Sequence, residues 1–218
     1  MGTSPATWGA IVSSTTGPDA AGGSRSTGPG SRGGAITRER IVDAGAMLFY
    51  AHGIRAISAD KIIANVGITK VTFYRHFHSK DELVVAYLER RAAWERGKIL
   101  GAAETANGDV DETIRIIADG IGAEACTPGF RGCPFINAAA EYADAEHPVR
   151  QAVAAHRAWF VEMLTKLMAS IGINDPAVVA ELMMLRDGAM VSGYLNDAEA
   201  VASTLLAASR AAIATPRA

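Results

Sequence analysis

The chain has 218 residues, 49% of them hydrophobic and 20% charged, enough for one good core or two small ones, which excludes a wholly disordered protein. No run of about eighteen apolar residues lacks a charge or a helix breaker, and no basic start precedes an apolar stretch at the N-terminus. These features argue against a membrane span or secretory leader and for a cytoplasmic protein.

Two cysteines, Cys126 and Cys133, are too few for a disulfide scaffold, and their spacing fits neither a CxxC redox motif nor a zinc knuckle. No metal and no cofactor is expected. The net charge of −2 hides a division along the chain. Residues 1–36 carry +1; residues 37–91 hold nine Lys/Arg against six Asp/Glu, net +3; residues 92–218 hold ten against sixteen, net −6. A basic stretch ahead of an acidic body suggests a polyanion-binding module.

Residues 1–36, rich in Gly, Ser, Thr, Ala and Pro, predict a disordered arm whose Arg25 and Arg32 are available to phosphates. Gly28, Gly30 and Gly33 spell GxGxxG, but no strand precedes them, so no nucleotide site is expected there. From Thr37 onward Ala, Leu, Met, Glu and Arg abound while alternating β-branched runs are missing, and the fold class is all-α. Ile41, Val42, Ala44, Leu48 and Phe49 mark an amphipathic first helix that stops near Gly53, whose missing Cβ permits a left-handed cap. Ser58 caps a short second helix ending before Gly67, and Thr69 opens a third that ends near His78.

Ser79 to Glu82 reads as a capping box opening a long fourth helix, about 80–105, and Asp109 with Glu112 repeats that signal for a fifth. The stretch 127–134, with its Pro and Gly residues, breaks the run, and helix resumes from about Phe135. His147-Pro148 opens a long helix through Trp159 and Leu167 to Ile171. Asp175-Pro176 opens another to Leu195, and the last spans about 198–214.

The first three helices, with turns at 53–58 and 67–69, have the skeleton of a helix-turn-helix. On the third, at about 100° per residue, Phe73 and Phe77 face the core, Val71, Thr72 and Arg75 face away, and Tyr74 and His76 take the flanks. No acid occurs between Ile68 and Lys80, while Thr69, Lys70, Thr72, Tyr74, Arg75, His76, Ser79 and Lys80 supply donors. A major groove accepts such a face, and carboxylates on it would be repelled by phosphates. Ser58 and Lys80 lie at helix N-termini, where phosphate is favoured, and Thr37 joins them as a candidate contact.

The segment "GITKVTFYRHFHSKDEL", Gly67 to Leu83, resembles the DNA-binding domain of the tetracycline-repressor (TetR) family. The resemblance implies a homodimeric, one-component regulator, usually a repressor, that binds a palindromic double-stranded operator and is released by a small-molecule effector. It would give Lys70 and Val71 base contacts, Thr72, His76 and Lys80 phosphate contacts, and Tyr74 a contact with backbone or a thymine methyl. Asp60, where some members carry a basic contact, and Val71, where Gly is frequent, depart from the pattern and leave the operator sequence open. The division implied is an arm at 1–36, a helix-turn-helix domain at 37–83, and an effector-binding and dimerisation domain at 84–218.

Phe130 to Arg150 is similar to a segment bordering the ligand cavity in some family members. Trp94, Cys133, Phe135, Tyr142, His156, Trp159, Phe160 and Met163 are the candidate pocket residues. The apolar terminal helices offer Leu182, Met183, Leu185, Met190, Leu205 and Leu206 as a dimer seam. An alternative reading makes Cys133, with Arg131 beside it in sequence, the reactive thiol of a redox or electrophile sensor; otherwise it is a small buried hydrophobe. A third is a helical enzyme with a vestigial DNA-binding domain, although no HExxH, nucleophile elbow or P-loop is present.

Overall fold

The computed structural model describes residues 29–196 and 198–215, with side chains from Gly33 onward, so Arg25, the Arg32 side chain and Gly28 lie outside the described part. The described residues form nine α-helices and no strand: α1 Pro29–His52, α2 Ala59–Val66, α3 Lys70–His76, α4 Lys80–Thr105, α5 Val110–Ala125, α6 Pro134–Glu141, α7 Pro148–Ala169, α8 Pro176–Leu195 and α9 Val201–Ala214. The chain divides into two compact units, Met1–Tyr87 and Leu88–Ala218, and the division falls inside α4. That is slightly later than the boundary expected at residue 83.

Helix boundaries follow local chemistry. Ser58, extended at φ −83°, accepts from Lys61 N at 3.3 Å, and Gly67 closes α2 in the left-handed region at φ 72°, its N–H reaching Ile63 O. Thr69 caps α3 through Thr72 N at 3.1 Å. Asp109 and Asp175 cap α5 and α8 with their carboxylates, and the His147 ring accepts from Val149 N ahead of α7. Side-chain acceptors at these positions satisfy amide groups that the helix itself leaves unpaired.

Three expectations are corrected. The first helix begins at Pro29 and not at Thr37, so residues 29–36 of the expected arm are helical. Proline is compatible with a first helical turn, and once the packed part of a helix exists each further residue gains a hydrogen bond without a new nucleation cost. Thr37 therefore lies inside α1, its hydroxyl donating to Gly33 O at 2.9 Å.

The capping box at Ser79 is only half made. Ser79 Oγ accepts from Glu82 N at 3.1 Å, but Glu82 Oε2 accepts from the amide of His78, at 2.6 Å, and lies 3.0 Å from its ring Nδ1. These contacts hold the Glu82 carboxyl below its ordinary value, the His78 amide being the largest cause. The third concerns the end of α3, which stops at His76 and not near His78; Phe77 follows it as an extended cap residue and faces the core as expected, fully buried.

In the first unit Ile41, Val42 and Phe49 of α1, Ile62 and Val66 of α2, Phe73 and Phe77, and Leu83 and Val84 of α4 form the core. A Cβ on Gly45 would stand 3.1 Å from Leu83 Cδ2, so α1 and the Leu83 side chain pack closely at this point. In the second unit α9 packs chiefly on α5 and α8, and α7 packs on α6 and α8. Its apolar core gathers Ile99, Val110, Ile114, Phe160, Leu164, Met168, Val179 and Leu182. Among the described residues no helix is long and apolar enough to cross a membrane.

Candidate nucleic-acid interface

Two rings hold α3 from behind. Phe73 and Phe77 are fully buried, 6.1 Å apart, and the Arg38 guanidinium covers Phe77 at 4.9 Å. With that face spent on the core, the opposite side of α3 is open: Val71 is 79% exposed, Tyr74 and Arg75 are exposed, and Thr72 is half-buried. Tyr74 rests edge-on against Phe73 at 5.2 Å, an aromatic pair that fixes its direction. The turn between α2 and α3 is held by Arg40, whose guanidinium donates to Val66 O at 2.8 Å.

Of the remaining predicted contacts, Ser58, Thr69, Lys70 and Lys80 are already engaged within the chain. Ser58 and Thr69 spend their hydroxyls on their own caps, and Thr69 Oγ1 also lies 3.0 Å from Thr72 Oγ1. Lys80 donates its ammonium to Ile54 O at 3.0 Å, so it ties the start of α4 to the loop after α1. His76 is half-buried with its Nε2 shut from solvent and unpartnered. Lys70 reaches back to Asp60 on α2, 2.9 Å from Oδ1 and 3.1 Å from Oδ2. The hydrogen bond and charge of Asp60 hold the Lys70 ammonium above its ordinary pKa. The Arg40 contact, the pairing of Asp60 with Lys70 and the Lys80 carbonyl contact were not foreseen, because each depends on how two elements meet.

The second unit rearranges the expected pocket. Cys133, Phe135, His156 and Phe160 are buried, Trp94, Tyr142, Trp159 and Met163 are half-buried, and Trp159 and Met163 pack on the core. A cavity of about 40 Å³ lies among Ile114, Ile117, Leu164, Leu182, Leu205 and Ser209, with Phe160 the member of the predicted set on its wall. That is far below the ~300–1,000 Å³ of a usual small-molecule site. Aromatic residues at helical spacing here serve the core, and His156 stacks on Phe135 at 3.7 Å.

Beside these rings runs a buried ionic network that sequence reasoning missed. Glu95 Oε1 accepts from Arg91 Nε at 2.7 Å, and Glu95 Oε2 lies 3.4 Å from Arg186 Nη2 and 3.2 Å from His156 Nε2. The His156 contact is close but poorly aligned for a hydrogen bond. Arg91 also pairs with Glu124, and Arg186 with Asp187 at 3.0 Å. Burial alone would push the Glu95 carboxyl up; the His156 contact and the charges of Arg91 and Arg186 outweigh it and bring it down to about 2. The available signal was phase: Leu88, Arg91, Ala92, Glu95 and Ile99 share one stripe of α4, and Arg186 falls in step with Val179, Leu182, Met183 and Met190 on α8.

Cys133 is buried, as its reading as a small hydrophobe has it, and the basic neighbour expected for the alternative is a different residue. Its charged neighbour is Arg186, with Nη1 3.3 Å from Sγ, while Arg131 lies over the Tyr194 ring. The thiol is 2% exposed, and an accessible sensor thiol is not what this position offers. Among the described residues no cluster of His, Cys, Asp or Glu could hold a metal ion.

The expected dimer seam is inside the molecule. Leu182, Met183, Met190 and Leu205 are buried in the unit's own core, and Leu185 and Leu206 pack against it. The outward face of α8 carries a different stripe: Ala177, Ala180, Met184, Gly188, Val191 and Leu195, all exposed and free of charge.

Residues 41–87 match the family model described as bacterial regulatory proteins, tetR family. HTH-type transcriptional regulator SrpR of Pseudomonas putida is 38% identical over 55 residues, 25% of this chain and 26% of SrpR. HTH-type transcriptional repressor NemR of Escherichia coli (strain K12) is 25% identical over 118 residues, 54% of this chain and 59% of NemR. The match thus spans about a quarter of SrpR and under two thirds of NemR. The crystal structure of SCO4454, a TetR-family transcriptional regulator from Streptomyces coelicolor, is similar to 82% of this chain over 95% of its own, with 39% sequence identity and a TM-score of 0.78. A helix-turn-helix unit that fits the family model, on a chain aligned with that relative over most of both lengths, places this protein in the TetR family of bacterial transcriptional regulators.

Proposed function

We propose that the protein is a homodimeric repressor that binds a palindromic operator and leaves it when a small effector occupies the second unit. The observation that carries this reading is the open, acid-free face of α3, backed by the buried rings of Phe73 and Phe77. Val71 and Tyr74 offer apolar surface to a thymine methyl, while Lys70 offers donors to base edges and Arg75 to base edges or phosphates. The name of NemR as a repressor supports the sign of the regulation.

One helix-turn-helix buries only ~600–1,000 Å² on DNA, so tight binding asks for two copies with reading helices about one DNA turn apart. The apolar outer stripe of α8 supports that pairing. The 40 Å³ cavity is too small for an effector as it stands, so the effector would favour a conformer in which α5, α7, α8 and α9 stand further apart. Since α4 contributes Leu83 and Val84 to one core and Arg91 and Glu95 to the other unit's ionic network, it is the covalent route for such a change.

The test is fluorescence anisotropy on the protein's own promoter fragment. Tyr74→Ala is expected to lower affinity at least tenfold while leaving the helical content and dimer intact. Unchanged affinity in Tyr74→Ala would count against the reading.

A further inference from the structure

An exposed lysine at the head of a reading helix has four rotatable bonds and ordinarily reaches whichever anion is nearest, which on DNA is a phosphate. Lys70 does not have that freedom here. It is the first residue of α3, directly after the cap Thr69, and its ammonium lies 2.9 and 3.1 Å from the two carboxylate oxygens of Asp60. Asp60 sits in the first turn of α2, the preceding helix of the same motif. Both side chains are about two-thirds exposed, at 67% and 64%. A pair so open to solvent contributes little to folding stability. The helix dipole favours a carboxylate in the first turn of α2, but on the reading side the same carboxylate repels phosphate and weakens DNA binding taken by itself.

We infer that Asp60 is the specificity-determining partner of Lys70: it holds the lysine ammonium toward a base edge in the major groove and away from phosphate. This rests on the operator-binding reading above. An ammonium has three N–H donors, and a carboxylate engaging it from behind leaves the remainder for an acceptor in front. The acceptors on the groove floor are guanine O6 and N7, adenine N7 and thymine O4, and guanine presents two side by side. A paired lysine also adds little to the counterion release that governs salt dependence, since its charge is already balanced. The recognised chemistry is thus the Hoogsteen edge of a purine, guanine before adenine, at one position in each half-site. Among the described residues no side chain other than Lys70 forms a hydrogen bond or ion pair with Asp60, so the pair is a unit that can be dissected by substitution.

The experiment uses the full chain and a randomised double-stranded DNA library, followed by affinity measurements on the enriched duplex and its single-base variants across a range of salt. The wild type should enrich a site with a strong purine preference at one position per half-site. Lys70→Ala should lose that preference by about fivefold or more while changing the log–log salt slope by much less than the ~0.9 expected for each phosphate that a protein neutralises. Asp60→Asn should lose the same preference at the same position, bind unrelated DNA as tightly as the wild type or more so, and steepen the salt slope as the freed lysine turns to phosphate. Asp60→Glu should restore most of the preference, and the double variant should match Lys70→Ala, because the carboxylate acts only through the lysine.

Thermal unfolding of each variant reports whether α2 remains folded. If Asp60→Asn reads the enriched site as the wild type does, or shifts preference at a position that Lys70→Ala leaves alone, the assignment is overturned while operator binding stands. A wild type that enriches no sequence overturns both.

Discussion

Glu95 illustrates how much a single residue can carry. Its carboxylate is buried between Arg91 and Arg186, and neither guanidinium has water to replace it as a partner. Arg91 keeps Glu124 and Arg186 keeps Asp187, so the loss of Glu95 costs less than a charge left wholly uncompensated, ~1–3 kcal/mol for the hydrogen bonds that go unmade. Glu95→Gln is therefore expected to destabilise the second unit by that amount, measured by urea unfolding at pH 7. The pH dependence has a definite sign. The folded carboxyl titrates at about 2 against an ordinary 4.5, so its stabilisation is complete above pH 4.5 and is lost as pH falls toward 2. The wild type should lose stability across that window, and Glu95→Gln should lose correspondingly less. A Glu95→Gln chain as stable as the wild type, with the same acid limb, would show that Glu95 does not stabilise the fold.

At the scale of elements, close approach of helices is set by residues that have no side chain to spare. A Cβ on Gly122 of α5 would fall 2.7 Å from Ala202 Cβ and 3.1 Å from the Ala202 backbone nitrogen on α9. Gly122→Ala gains up to ~1 kcal/mol of helix propensity, but the clash must push α5 and α9 apart, and overpacking typically costs ~1–3 kcal/mol. The expected outcome is a lower melting temperature by calorimetry, whereas Gly120→Ala on the same helix, with open space at its Cβ, should be neutral or stabilising.

Elements of this kind were legible to different degrees. Helix starts at Ser58, Thr69, Asp109, Pro148 and Pro176 could be read because a cap is a contact between residues two or three apart. The outward stripe of α3 was equally legible, since the buried aromatics fix its phase. The orientation of α8 was not. Val178, Val179, Leu182, Met183 and Met190 point inward while Met184, Val191 and Leu195 point outward, so the helix is apolar all round and its periodicity names no face. The buried Arg91–Glu95 pair reads in sequence like any solvated pair four residues apart, and only its coincidence with the Leu88 and Ile99 stripe distinguishes it.

At the scale of the whole molecule, the proposed pair of readers needs a surface that joins two copies, and the exposed side of α8 is the candidate. Met184 and Leu195 are 67% and 66% exposed, and they continue a stripe spaced at three and four residues through Ala177, Ala180, Gly188 and Val191. Such spacing suits the seam of a helix bundle. On the neighbouring α9, Ser203, Thr204, Ala207, Ala211 and Ala214 are exposed and small enough for a second copy to approach closely, while Arg210 is tied down by Asp111 at 2.6 Å.

A charge at the centre of that stripe should have no folded-state cost within one chain, because the position faces water, and should be costly only in a dimer. Met184→Asp is therefore expected to leave thermal stability of the isolated chain unchanged while raising the dimer dissociation constant by about 30-fold or more, read by sedimentation velocity. Operator affinity should fall with it, since each half-site contact alone is weak at physiological salt. Leu182→Ala, on the inner face, should show the reverse pattern: a loss of ~2–5 kcal/mol in stability with dimerisation altered only through unfolding. If Met184→Asp stays dimeric, the pairing surface lies elsewhere, and the α8 stripe must be assigned to a different contact.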